Sequence, residues 1–202
     1  MHLEVLVEEP SMEQGLRLLL PKLVGETSFK VLVHRGKPDL LQQLPGRLRG
    51  YRRFVESDWK ILVVVDADRD DCKAIKAQLE AVAGLAGLPT RSRPRRGRFT
   101  VINRVVVEEL EAWYFGDWEA VRVAFPRVPA EIPEQSRYRQ PDRIKGGTWE
   151  AFERILQKAG YFNGGLRKVE AARRIAPYMD PARNNSPSFR ALCDALRDIV
   201  PG

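Results

Sequence analysis

A chain of 202 residues, 44% hydrophobic and 30% charged, is long enough to bury a substantial core and has the composition of a soluble globular protein. No apolar run approaches the roughly 18 residues that span a bilayer, and Met1-His2-Leu3-Glu4 lacks the basic start of a secretory signal, so a cytoplasmic protein with no membrane role is expected. The net charge of +7, from 34 Lys and Arg against 27 Asp and Glu with arginine the commoner cation, suits a polyanionic partner.

Leu3 to Val7 reads as a buried strand ending in Glu8-Glu9-Pro10-Ser11, with Ser11 the expected cap of a helix through Leu16, Leu18, Leu19 and Leu20. Phe29 to His34 is a second short strand. Gly36, Pro38, Pro45 and Gly46 punctuate the next stretch, and Leu40 to Phe54 is helical in part. Lys60 to Val65 is the strongest element: its β-branched run predicts a central strand buried on both faces. It runs into Asp66-Ala67-Asp68-Arg69-Asp70-Asp71, then a helix from Cys72 to Val82 closed by Gly84. Thr100 to Val107 is a further strand and Glu108 to Phe115 a helix start.

Strands alternating with helices predict an α/β fold with a mainly parallel sheet flanked by helices, spanning 1–125. Residues 126–202 change character: a proline-rich irregular segment ends at Gly146-Gly147, and helices follow from Thr148 (the expected N-cap) to Lys158, Leu166 to Ala176 and Ser188 to Val200. This helical C-terminal region is expected to pack on the same domain.

Three predicted strands end in acids: Glu8-Glu9, Asp66-x-Asp68, and Glu108-Glu109-x-Glu111. In open parallel sheets ligands gather at the carboxyl ends of strands. If the extended geometry persists through Asp68, Asp66 and Asp68 point the same way and can share one ion. Hard carboxylate oxygens suit Mg²⁺ or Mn²⁺. The bland alternative is a helix N-terminus decorated with acids, which the macrodipole favours in any case. For Glu108, Glu109 and Glu111, a solvated helix start explains the acids equally well. An EF-hand loop is excluded, because counting from Asp66 the required Gly and Glu positions hold Asp71 and Ala77.

Five arginines in eight residues, Arg91, Arg93, Arg95, Arg96 and Arg98, form either a phosphate-tracking loop or a solvated loop that docks an acidic partner. Lys145-Gly146-Gly147-Thr148 lacks P-loop spacing. His2 and His34 are the only histidines, and no Cys-x-x-Cys or Gly-x-Ser-x-Gly occurs, so zinc and serine-hydrolase chemistry have no support. Cys72 and Cys193 read as two free thiols. Trp113, Trp118 and Trp149 could stack on bases, although aromatics among helical apolar residues are more often core.

Leu6-Val7-Glu8 and Val65-Asp66-Ala67-Asp68 resemble the Toprim domain of topoisomerases, primases and OLD-type nucleases, in which a Glu ends the first strand and Asp-x-Asp a later one. Toprim domains usually carry Gly after the Glu, and Glu9 stands there instead. The resemblance implies Mg²⁺ or Mn²⁺ held by Asp66 and Asp68, a second position completed by a member of the Glu108 to Glu111 group, Glu109 or Glu111 above all, and Glu8 as general acid or base or as a further ligand. It thereby implies a metal-dependent nuclease or related phosphotransfer enzyme acting on DNA or RNA. The alternatives are a non-catalytic partner that regulates an ATPase, as in Toprim relatives that act with ATPases in antiphage defence, and a plain nucleic-acid-binding module.

The whole chain resembles an uncharacterised bacterial family described only as a domain of unknown function. That resemblance rests on Leu6-Val7-Glu8-Glu9, Val65-Asp66-Ala67-Asp68, Glu108-Glu109-Leu110-Glu111-Ala112-Trp113, Gly147-Thr148-Trp149-Glu150, Ile175-Ala176-Pro177-Tyr178-Met179-Asp180 and Asn185-Ser186-Pro187-Ser188-Phe189.

Overall fold

The computed structural model describes residues 1–54 and 58–199; Val200, at the end of the last predicted helix, lies outside the described residues. Four strands, β1 (His2–Val7), β2 (Ser28–Val33), β3 (Trp59–Asp66) and β4 (Val101–Val106), form one all-parallel sheet in the order β2-β1-β3-β4. The apolar run of β3 makes it a central strand, with Ile61 opposite Glu4 of β1 on one side and Val101 of β4 on the other. The helices are α1 (Pro10–Val24), α2 (Lys37–Phe54), α3 (Cys72–Leu85), α4 (Glu111–Gly116), α5 (Trp118–Ala124), α6 (Thr148–Lys158), α7 (Lys168–Ile175) and α8 (Pro187–Arg197).

Strand alternation divides the interior into two cores. Leu3, Val5, Val7, Leu62, Val64 and Ile102 pack with Leu16 and Leu19 of α1 and with Phe152, Ile175 and Leu192 of the C-terminal helices. Leu6, Ile61, Val63 and Val65 pack with Leu44 and Leu48 of α2 and Leu79 of α3. The C-terminal helices therefore share the core of the sheet, and each such buried aliphatic side chain contributes about 1.5–3 kcal/mol.

Several local expectations shift. Residue Glu9, not Ser11, occupies the N-cap position of α1, and Pro10 takes the first turn, where a missing N–H costs nothing. Helix α2 runs unbroken through Pro45, because the stripe Leu40, Leu44, Leu48 and Tyr51 buries enough surface to offset the lost hydrogen bond. The irregular segment holds two short 3-10 turns, Ile132–Glu134 and Pro141–Arg143, and is fastened by buried Tyr138, Pro141 and Ile144.

From β1 the chain steps outward through α1 to β2, then returns across the opposite face through α2 to β3 on the other side of β1. This reversal makes the carboxyl ends of β1 and β3 a topological switch point, the place where open parallel sheets bind ligands.

Candidate metal centre at the switch point

Glu8 and Asp66 leave the ends of adjacent strands and meet there, the backbone N–H of Asp66 donating to Glu8 Oε1 at 3.0 Å. Both are buried, at 6% and 2% exposure, and Glu8 Oε2 and Asp66 Oδ1 have no hydrogen-bond partner among the described residues. Burial is the largest influence on Glu8; the Asp66 N–H and Lys37 oppose it, Asp68 and Glu9 reinforce it, and the carboxyl is pushed up to about 7. Asp66 is raised well above the usual carboxylate range, first by burial and then by the charges of Glu8, Glu9 and Glu111.

The extended geometry expected through Asp68 stops at Asp66. Ala67 N–H still donates to Val106 O (2.8 Å) and Asp68 N–H to Glu108 O (2.7 Å), but Asp68 adopts a left-handed φ of 51°, which a short polar side chain tolerates. Its carboxylate, 49% exposed, turns to Lys37 at the start of α2. Lys37 Nζ lies 2.7 Å from Asp68 Oδ2, 2.9 Å from Asp70 Oδ2 and 3.1 Å from the Ala67 carbonyl oxygen. Asp66 and Asp68 nonetheless wall one cleft of about 390 Å³ together with Glu8, Glu9, Lys37 and Lys168. Asp71 does what the bland reading expects of an acid here: it caps α3, accepting from Lys73 N–H at 2.9 Å.

The acids after β4 divide by role. Glu109 Oε2 accepts from the Thr148 hydroxyl and the Trp149 N–H, both at 3.1 Å, and so caps α6 from a distance. The backbone N-cap of α6 is Gly147 rather than Thr148. Glu111 is 1% exposed, and neither carboxylate oxygen has a hydrogen-bond partner among the described residues. Burial, opposed by Lys168 and helped by Glu109, pushes it up to about 7. Beside it the Tyr114 hydroxyl is also buried without a partner, and burial followed by Glu111, Glu9 and Asp66 raises its pKa far above the usual value.

Lys168, from the start of α7, faces this group. Burial acts to lower its pKa, but Glu111, Glu9, Glu109 and Asp66 together raise it. Neither Lys37 nor Lys168 carries a signal in the sequence, since each is a helix-start lysine remote from the acids it serves.

A second, larger cleft of about 660 Å³ shares Asp68 and Asp70 with the first and is walled by Glu108, Glu109, Asp142, Trp149 and Glu150. Trp113 and Trp118 are core residues, whereas Trp149 lines this cleft. The predicted arginine loop is elsewhere. Its backbone is tied to the start of β4 through Arg91 N–H to Val101 O (2.8 Å), at the amino end of the sheet. The six residues of β4, about 3.3 Å each, separate it from the carboxylates. Arg91 is further engaged by Asp198 at 2.6 Å.

Among the described residues, no three His, Cys, Asp or Glu side chains stand close enough to form a ready metal cage. The donors nevertheless fit a hard dication by type: unpartnered buried carboxylate oxygens, with room in the cleft for the water and substrate oxygens with which Mg²⁺ completes its shell.

Residues 7–197 match the family model described as Domain of unknown function (DUF4276), and the chain belongs to that family. No curated protein and no solved structure matches the chain.

Proposed function

We propose that the chain is a Mg²⁺- or Mn²⁺-dependent nuclease, or a related phosphotransfer enzyme acting on nucleic acid, with its centre at the β1–β3 switch point. The observation that carries this reading is the pair of buried carboxyls with unpartnered oxygens, Glu8 and Asp66, where the strand order reverses, with buried Glu111 at the start of α4 near enough for its charge to act on Asp66. Gathering such groups without a cation costs desolvation and repulsion that a structural role alone does not require.

Asp66 and Asp68 would hold the ion, directly or through water, with Glu111 behind them; Glu109, committed to α6, would act on the ion through its charge. The ion, when bound, supplies Lewis acidity toward a phosphoryl oxygen and lowers the pKa of a water. Glu8, with its Oε2 free and its proton affinity near neutral, can take or return a proton at the reacting oxygen. Lys37 and Lys168 face the cleft with charge to offset that of a phosphate. The Toprim resemblance points to the same chemistry by analogy of motif.

Calorimetric titration of Mg²⁺ and Mn²⁺ into wild type and the Asp66→Asn/Asp68→Asn variant tests the centre. Binding lost in the variant, with cleavage of labelled DNA or RNA oligonucleotides lost in parallel, is expected. Full metal-dependent cleavage by the variant would remove the proposal.

One observation favours a second reading, a non-catalytic partner of an ATPase: Lys37 already occupies the oxygens of Asp68 and Asp70 with a fixed cation. That reading expects metal-independent behaviour and no cleavage under any ion.

A further inference from the structure

The carboxylate clefts have acidic walls, so a polyanionic strand reaching them needs cations nearby on the same side of the molecule. The arginine loop at the amino end of β4 is on the other side. Four different cations stand between the first 3-10 turn and α6: Arg137 and Arg139 between the two turns, Arg143 at the end of the second, and Lys145 after it. They line a groove of about 290 Å³. Arg139 and Arg143 also line an adjoining cleft of about 270 Å³ whose wall includes Asp142, and Asp142 is in turn a wall of the 660 Å³ cleft. Asp142 is thus a wall residue common to the cleft beside these cations and to the cleft that holds Trp149, Asp68 and Asp70.

The segment is fixed in place. Tyr138 is buried with its ring stacked on Phe115, 5.3 Å between centroids, and Pro141 and Ile144 are buried too. Asp142 is spent on the N-terminus of α8, accepting from Ser186 Oγ at 2.6 Å and from the Ser188 N–H at 2.7 Å. Arg139 and Arg143 between these anchors, and Arg137 and Lys145 on either side of them, are exposed. Their partners are neutral: Arg137 donates to Gln135 Oε1 and lies over the Tyr138 ring, and Arg139 donates to the Glu134 carbonyl oxygen. Among the described residues none of the four makes a salt bridge, which is also true of Arg93, Arg95, Arg96 and Arg98, so it is their place on the side of the acidic clefts that sets these four apart. The charge is held in position and left uncompensated, which is the arrangement that binds a phosphate backbone by counterion release.

We infer that the 136–145 segment is the backbone-binding surface for a single strand of nucleic acid entering the acidic cleft, an inference that rests on the nucleic-acid reading above. A single strand is chosen because Trp149 lies on the wall of the cleft with Lys168 Nζ 5.7 Å from its ring centroid on one face, and the other face would stack only on an unpaired base.

Fluorescence anisotropy of a labelled single-stranded oligonucleotide, measured with EDTA present, separates this surface from the metal centre. The variant Arg139→Ser/Arg143→Ser/Lys145→Ser is expected to weaken binding at least tenfold. It should also flatten the slope of log Kd against log salt by about two, three contacts at about 0.7 each. Arg93→Ser/Arg95→Ser/Arg96→Ser/Arg98→Ser is expected to stay within about twofold of wild type, and Arg139→Lys/Arg143→Lys to keep most of the affinity. All these positions are exposed, and matching thermal melts confirm that the variants fold. Wild-type affinity in the 139/143/145 variant, loss of affinity in the arginine-loop variant instead, or no salt-dependent binding by wild type would each overturn the inference. In every one of those cases the Asp66- and Asp68-dependent metal titration still judges the centre independently.

Discussion

Lys37 shows at the scale of one residue how the acids beyond β3 are balanced by a fixed cation. Its ammonium sits among two carboxylate oxygens and one carbonyl oxygen, the donor set a hard dication would take. Burial works to lower its pKa, but the hydrogen bonds and charges of Asp68 and Asp70 outweigh that and raise it, so it remains a cation at neutral pH. A dication binding Asp68 therefore competes with Lys37. Lys37→Met is expected to tighten Mg²⁺ binding by about tenfold, since a unit charge a few ångström away is worth at least ~1 kcal/mol even in a wet cleft. Calorimetry with the two proteins reads this directly; equal affinities would mean that the ion does not use the oxygens Lys37 holds. The sequence allowed a capped helix N-terminus or a solvated helix start for the acids of the site, so their burial was hidden, whereas their place at the ends of strands was legible. Lys37 and Lys168 were not, because each reaches its partners only through the crossing of helices over the sheet. The capping role of Glu109 was hidden for the same reason: Thr148 and Trp149 lie about forty residues further along the chain.

At the scale of elements, α4 and α8 are joined around a glycine. Asn184 donates from Nδ2 to the Trp113 carbonyl oxygen at 2.8 Å, and Asn185 N–H donates to Gly116 O at 2.9 Å. A Cβ on Gly116 would collide with Asn184 Oδ1 and stand 2.8 Å from the Ser186 backbone nitrogen. Because one of those atoms is backbone, the clash cannot be relieved by turning a side chain. Gly116→Ala is expected to destabilise by about 1–3 kcal/mol in urea unfolding. In contrast, a Cβ on Gly46, in the middle of α2, meets nothing within 4 Å, so Gly46→Ala is expected to be neutral or to stabilise by up to about 1 kcal/mol. Equal costs at the two positions would show that local packing around Gly116 is not what fixes α4 against α8. The contrast also marks where periodicity sufficed and where it failed. The run of β3 and the stripes of α1 and α3 announced themselves through their own side chains. Pro45 and Gly46 argued against a helix that tertiary burial then imposed, and nothing local specifies that β3 inserts beside β1.

For the whole molecule, the carboxyl cluster makes stability depend on pH in the direction opposite to an ordinary salt-bridged acid. Burial pushes Glu8 and Glu111 from 4.5 up to about 7, and raises Asp66, Glu108 and Glu109 as well. The folded chain therefore keeps protons that the unfolded chain has released. In that window the unfolded state binds fewer protons, so the unfolding free energy falls as pH rises. The stabilisation is complete below about pH 4.5 at these two groups and is lost as pH passes through about 7. For carboxyls this deeply buried the loss is on the order of a few kcal/mol, or several degrees in Tm for a chain of this length. Glu80, whose hydrogen bonds from Lys76, Thr90 and Asn103 overcome its burial and lower its pKa, pulls the other way, but only in more acidic solution. Without divalent cation, Tm is thus expected to be higher at pH 5 than at pH 8, and Glu8→Gln or Glu111→Gln to flatten that slope. A dication favours the ionised carboxylates, so millimolar Mg²⁺ should raise Tm at pH 8 and do little at pH 5. Differential scanning fluorimetry across this grid distinguishes the cases. A Tm that rises from pH 5 to pH 8 without metal would mean that the buried acids are not protonated in the native state. A Mg²⁺ effect that is equal at both pH values would place the ion outside this cluster.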